Sequence, residues 1–441
     1  MLRKLETYFE FARLGTNWRT EILAGVTTFI TMAYIVLVNP SILSAAGVPL
    51  NAATVATCLS AAFASILMGV VARYPIALAP GMGLNAYFTY TVCLKMHVPW
   101  QTALGAVFIS GALFFVLAAA NVHKFILHAI PHELYAAVAS GIGLFIAFIG
   151  FRNAGLVIGD TATLVGMGSL RSPSTALALC GLMLMVALEI RRVRGAIVIG
   201  VLAVTIAAWA IPQTRAPLYE HWLHASSHGL DLSATFLHLD LRAALGKGLV
   251  EIIFVFFFVD LFDNLGTLMA VTKRAGLIDN ENRIPRLNRI LMTDAVASMA
   301  GAVAGTPTVT SYVESTAGVM AGGRSGVTAV VTGLLFLVAI ATVPFIGMVP
   351  DAATAPALIL VGSLMLSTIA EIRWRDPLVA VPAFLTLVLI PLTYSIANGL
   401  GFGVIAWAVL HGLTGKVSKR DWLLYLLAAL FLARFLYLGG N

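Results

Sequence analysis

The sequence predicts an all-α polytopic membrane protein. Three observations carry that reading: 60% hydrophobic against 11% charged residues over 441 positions, apolar runs of spanning length repeated along the chain, and basic residues confined to alternate loops. A soluble chain carries about 25% charged residues. No soluble fold of this length covers itself with so few, and the bilayer is the solvent that resolves the mismatch.

Apolar runs in the first half lie near 21–39, 52–72, 76–94, 100–121, 129–150, 173–190 and 195–212. In the second half they lie near 248–271, 288–304, 307–322, 325–347, 353–371, 377–392 and 397–413. About 20 apolar residues cross a bilayer, so these predict about 14 transmembrane spans. Residues 421–438 form a further apolar run broken by Arg434, either an interfacial helix or one more span. Residues 1–18 are polar and basic, with no short apolar region ahead of the first run, which is expected to stay in the membrane.

Charge tests the count. With the N-terminus placed in the cytoplasm, only Lys95, Arg152, Arg171, Arg215, Arg242 and Lys247 fall in outside loops; of 27 Lys and Arg, with Arg434 set aside, 20 fall inside. Positive residues collect on the cytoplasmic side, so both termini are expected there. The net charge of +7 belongs to these loops and excludes a nucleic-acid partner; the lipid bilayer is the partner instead. Cys58, Cys93 and Cys180 lie in or beside apolar runs and read as packing residues.

The longest connection, about 213–246 with Pro212 and Pro217, splits the runs into two sets of seven. An odd set sends the second half into the membrane in the opposite sense, which allows an inverted repeat. The third run holds Ala79-Pro80-Gly81-Met82-Gly83-Leu84-Asn85, and the tenth holds Gly305-Thr306-Pro307-Thr308-Val309-Thr310-Ser311. Proline removes a donor and glycine frees the backbone, so both runs are helix-breaking. Hydrocarbon does not tolerate the freed groups; both segments should line a protein-walled cavity, and paired interruptions point to a transporter site.

Four acids fall inside runs: Asp260 and Asp263 in the eighth, Asp294 in the ninth and Glu314 in the tenth. Such charges cost about 2.5–3.5 kcal/mol each on insertion scales. Asp260 and Asp263 share a helical face, which Asn264 and Thr267 extend by a turn. No basic residue in the run neutralises them. They must be protonated, paired or solvated, and each state suits proton coupling or recognition of N–H donors, as on the edge of a nucleobase. His97, His123, His128 and His221 lack metal-ligand spacing, so no metal site and no cofactor are expected, the coupling ion being H+. Nothing marks a nucleophile elbow, triad or phosphate loop, so no catalytic residue is expected; a channel's repeated selectivity residues are not visible either.

The sequence resembles the AzgA-like hypoxanthine/guanine/adenine permeases, a branch of the nucleobase–cation/ascorbate transporter family, from about residue 12 to 413. The resemblance rests on four stretches: Gly25-Val26-Thr27-Thr28-Phe29-Ile30-Thr31-Met32-Ala33-Tyr34 through Asn39-Pro40, Ala79 to Tyr87, Val259 to Leu268, and Thr308 to Ser315. It implies 7+7 inverted repeats with short strands in spans 3 and 10. A core domain would comprise 1–122 and 246–348, and a gate domain 123–245 and 349–441. The implied transport is of purines, as an elevator, with proton symport and commonly in a homodimer in the cell's inner membrane.

Residue roles are implied in the same way. Asp263 and Glu314 bind the base, and the Val313 amide donates to it from beside Tyr312. Met82 stands where the family places a stacking aromatic, next to Gly83, and Thr28 at a polar position of span 1. Asp294 supports the site together with Asp260 and Asn264. Thr267 replaces a histidine of the uracil branch, which favours the purine branch. A uracil or xanthine carrier on the same fold is the alternative; anion carriers lack the acid pair, because carboxylates repel anions.

Overall fold

The computed structural model describes residues 2–121, 131–215, 219, 232–246, 250–278, 284–416 and 421–437. His123, His128, Pro217, His221 and Lys247 lie outside them. Backbone in hydrocarbon must close its hydrogen bonds internally, and the apolar runs do so as helices. Two short helices, α1 (Leu2–Tyr8) and α2 (Phe11–Leu14), precede α3 (Trp18–Met32) and α4 (Ile35–Ser44), two halves of one span broken at Ala33 and Tyr34. Next come α5 (Leu50–Leu67), strand β1 (Leu78–Pro80), the half-helix α6 (Met82–Ala86) and α7 (Trp100–Ala119). Helix α8 (His132–Asn153) leads to the exposed hairpin β2 (Val157–Asp160) and β3 (Leu164–Met167). Helices α9 (Pro173–Ile190) and α10 (Ala196–Ala210) close the first half.

The second half opens with α11 (Leu241–Ala244), then α12 (Val250–Ala275) and α13 (Leu287–Ala304). Strand β4 (Val309–Ser311) and the half-helix α14 (Ser315–Met320) follow. Then come α15 (Gly326–Ala339), α16 (Val343–Ile346), α17 (Asp351–Met365), α18 (Pro377–Thr393), α19 (Ile396–Leu413) and α20 (Trp422–Tyr437). Among the described residues nine helices are long and apolar enough to cross a membrane.

The chain forms two compact units: residues 1–116 with 150–357, and residues 117–149 with 358–441. In the second unit α8 and α17 approach through glycines: a Cβ on Gly143 would meet the Gly362 carbonyl at 2.7 Å, and one on Gly362 the Gly143 carbonyl at 2.3 Å. Helix α20 packs on α19, and Arg434 turns inward to donate to Asn398 Oδ1 at 3.0 Å. That contact gives the guanidinium a polar partner in the run the sequence left open.

In the first unit the interrupted spans meet. Strands β1 and β4 pair antiparallel, Leu78 opposite Ser311, Ala79 opposite Thr310 and Pro80 opposite Val309. The pairing extends at both ends, with Tyr312 N donating to Ala77 O at 3.0 Å and Gly81 N to Thr308 O at 2.9 Å. Short strands in spans 3 and 10 are therefore borne out. Gly81 is tightly placed there: a Cβ would press on the Thr310 Cγ2 methyl at 2.8 Å.

Candidate functional site

An antiparallel ribbon of two strands satisfies only half of its backbone groups; the other half point outward. Buried in a membrane protein, those outward groups need partners. A serine supplies them on each side. Ser65 on α5 donates its hydroxyl to Leu78 O at 2.9 Å and accepts from Leu78 N at 2.9 Å. Ser298 on α13 donates to Val309 O at 2.9 Å and accepts from Val309 N at 3.2 Å. Ser315 adds a third contact, accepting from Ala77 N at 3.0 Å. All three serines are buried.

The ribbon delivers Glu314 to the start of α14. Its Oε1 accepts from the Tyr34 hydroxyl at 2.7 Å, at the break between α3 and α4. Asp263 on α12 lies close enough to feel the Glu314 charge, and Tyr312 feels both. The Tyr312 hydroxyl donates to Pro80 O at 2.5 Å, against the start of α6 at Met82. So the structure brings together Asp263, Glu314, Tyr312 and Met82, with Gly83 half-buried beside them. Thr28 is fully buried against α14, where its hydroxyl limits Gly318 to a hydrogen. The Val313 side chain is half-exposed and Thr267 is partly buried; among the described residues neither side chain is seen bonded to the acid pair.

Behind the pair sits a second layer. Asp260 is 2% exposed and Asp294 is 0% exposed. Asp260 Oδ2 faces the Ser298 hydroxyl at 3.4 Å. Among the described residues Asp260 Oδ1 and both Asp294 oxygens have no well-formed hydrogen bond, Asn264 lying beside Asp294. The hydroxyls of Thr28, Thr308, Thr310 and Ser311 and the Asn85 carbonyl are likewise unpartnered. An orphaned buried polar group costs about 1–3 kcal/mol. They concentrate around one ribbon, where a solute, a proton or water would supply partners.

Four participants escaped the sequence reading. Tyr34 lies within the first apolar run and the first family-like stretch, but only its contact with Glu314 marks a role for its hydroxyl. Ser65 and Ser298 are single small polar residues in spans, which usually bond their own helix. Asn85 donates to Asn39, which in turn donates to Thr57 at 2.9 Å and Thr306 at 3.3 Å, tying spans 1, 2, 3 and 10 together. Its signal was its place in the helix-breaking stretch. Among the described residues no group of three His, Cys, Asp or Glu is placed to hold a metal.

The arrangement brings two acids, Asp263 on α12 and Glu314 at the start of α14, to the end of the β1–β4 ribbon. Known proteins agree with a carrier. A profile of the Permease family matches residues 19–402. The chain belongs to the Permease family. The permease is similar to a chain named as a permease from Methanocaldococcus jannaschii, 47% identical over 440 residues with both chains covered in full. It is 40% identical over 437 residues to the adenine permease AdeP of Escherichia coli, covering 99% of this chain and 97% of that one. It is also 40% identical over 456 residues to the guanine/hypoxanthine permease PbuG of Bacillus subtilis, covering 98% and 100%. The resemblance read from the motifs is thereby borne out, and the chain is a transporter rather than an enzyme.

Among solved structures, the transmembrane domain of the cyanobacterial bicarbonate transporter BicA resembles the permease with a TM-score of 0.65. It is 15% identical and covers 89% of this chain and 97% of that one. That likeness is one of fold, and it supports the expected fold class: a multi-pass transporter built on this architecture.

Proposed function

We propose that this permease imports purine nucleobases (hypoxanthine, guanine or adenine) by proton symport. The observation that carries the reading is the acid pair, Asp263 and Glu314, presented by α12 and by the end of the β1–β4 ribbon, with Tyr34 fixing one Glu314 oxygen. A purine edge offers adjacent N–H donors and a carbonyl. Carboxylates accept from the former, and the Val313 amide serves the latter. The purine-named relatives support this substrate class. The orphaned acids Asp260 and Asp294, with Asn264 and Thr267 on the same face as Asp260, supply the place for a coupling proton; no other cofactor enters.

In this reading the ribbon-bearing part of the chain carries the base in an elevator movement. The protein sits in the inner membrane, with both termini in the cytoplasm, and works as a homodimer. Asp263→Ala or Glu314→Ala is expected to abolish uptake of radiolabelled hypoxanthine while the protein remains in the membrane. Unchanged uptake in both variants removes the acids from the site. Competition by adenine, guanine, hypoxanthine, xanthine and uracil separates the purine reading from the uracil or xanthine alternative.

A further inference from the structure

The two serine clasps are related as the two halves of the chain are, yet only one has acidic neighbours. Ser65 and Ser298 each grip one residue of the ribbon through both its N–H and its C=O. Among the described residues Ser65 bonds to Leu78 alone. Ser298 also stands 3.4 Å from Asp260 Oδ2, and Asp294 lies one helical turn before it on the same face of α13. A serine hydroxyl has a single hydrogen to donate. Here two acceptors contend for it: the Val309 carbonyl at 2.9 Å and the Asp260 carboxylate at 3.4 Å.

An ionised carboxylate is a far stronger acceptor than an amide carbonyl, and a protonated one becomes a donor itself. Neighbouring carboxylates in a low-dielectric interior do not both stay charged. The titratable groups facing Asp260 are Asp263 on its own helix and Asp294 on α13, while Glu314 acts on Asp263 from the ribbon's end. No ion pair reaches these acids among the described residues.

We propose that Ser298 is a proton-switched clasp on β4. With a proton on the Asp260–Asp294 pair, the hydroxyl hydrogen stays on Val309 O and β4 is held. When the proton leaves, the hydrogen turns to Asp260, Val309 O loses its partner, and the strand carrying Tyr312 and Glu314 loosens. The proton bound with the solute on one side of the membrane is the one released on the other. Ser298 acts through β4, so it is a positioning residue. The inference rests on the proton-coupled purine reading and adds the part that connects proton to solute.

The test uses the full-length permease in liposomes, with radiolabelled hypoxanthine binding and uptake measured as external pH is stepped from acid to alkaline. One pH unit changes the occupancy of an unsaturated proton site about tenfold, so wild type is expected to lose uptake on that scale per unit. Ser298→Ala is expected to flatten this slope. Ser298→Thr, which keeps the hydroxyl, restores it, and Ser65→Ala lowers uptake without changing the slope. Asp260→Asn leaves the serine in place and is expected to lose the slope too, so the proposal stays testable if Ser298→Ala does not fold. A slope kept in Ser298→Ala or in Asp260→Asn, or one flattened equally by Ser65→Ala, overturns the clasp. A wild type that binds hypoxanthine with no pH dependence overturns the clasp and leaves the purine reading standing. A wild type that binds no purine overturns both.

Discussion

Two acids with the same burial have opposite surroundings. Glu21, at the start of α3, is 0% exposed, as is Asp294. Yet Glu21 is saturated with donors: Arg324 N at 2.9 Å and Ser325 N at 3.1 Å reach Oε1, Thr16 Oγ1 adds a bond at 2.7 Å, and Thr328 Oγ1 donates to Oε2 at 2.6 Å. Its carboxylate therefore sits at the N-terminus of α15, where exposed N–H groups and the helix dipole favour a negative charge. Asp294 has Asn264 beside it but, among the described residues, no well-formed hydrogen bond on either oxygen. Burial alone does not make an acid functional. What separates a structural carboxylate from a working one is whether the fold has already spent donors on it.

The largest expected effect breaks the comparison on the Glu21 side. Glu21→Ala strips two backbone N–H groups and two hydroxyls of their acceptor. At about 1–3 kcal/mol for each buried orphan, the fold should lose about 3 kcal/mol or more. Thermal unfolding in detergent, followed by tryptophan fluorescence, reads this as a large drop in Tm. A Tm within experimental scatter of wild type would show that the anchor between α3 and α15 is replaceable by water.

Asp294→Asn sharpens the other side. Amide and carboxylate have nearly the same shape, and no donor loses its acceptor. Replacing an unpaired buried charge by a neutral group is neutral or stabilising, so Tm should move by less than about 1 kcal/mol equivalent, or rise. If Asp294 seats the coupling proton as proposed, gradient-driven uptake falls all the same. A strong loss of stability in Asp294→Asn would place this residue with Glu21 as a structural acid.

These outcomes bear on what a sequence discloses. The apolar helices, the two interruptions and the four acids inside apolar runs were legible because hydropathy, proline and charge mark the local sequence; of about fourteen expected spans, the described residues show nine helices long and apolar enough to cross a membrane. Asp260, Asp263, Asp294 and Glu314 could be named with no neighbour in view. Their partners could not. Tyr34 matters only because Glu314, far along the chain, is folded against it, and Ser65 and Ser298 only because the chain doubles back to lay Leu78 and Val309 on their helices. Glu21 stands at the edge of the first run, and three of its four donors come from residues 324–328, far along the chain. Residue type is local information, whereas hydrogen-bond partnership is not.

A third acid tests the smallest effect. Glu10 lies outside the membrane-spanning runs, between α1 and α2, and meets Arg13, Arg73 and Arg286. Glu10, Arg73 and Arg286 all have left-handed backbones, with φ of 59°, 62° and 60°. Each such residue costs about 1–2 kcal/mol, so the ion cluster, with Arg73 stacked 4.0 Å over the Tyr8 ring, must hold them in place. Burial pushes the Glu10 carboxyl up, but the Arg286 hydrogen bond and the three guanidinium charges outweigh it and hold the group below the ordinary glutamate value. A carboxyl lowered by folding stabilises above its unfolded pKa and loses that contribution as pH falls through the folded one. Wild type should therefore be more stable than Glu10→Gln at neutral pH, by up to about 1 kcal/mol for a partly exposed network. The two Tm curves should converge below the ordinary glutamate pKa, and in high salt, where the Debye length shrinks. A gap that survives both acid and salt would assign Glu10 to shape rather than charge, and leave the three strained backbones to be held by packing.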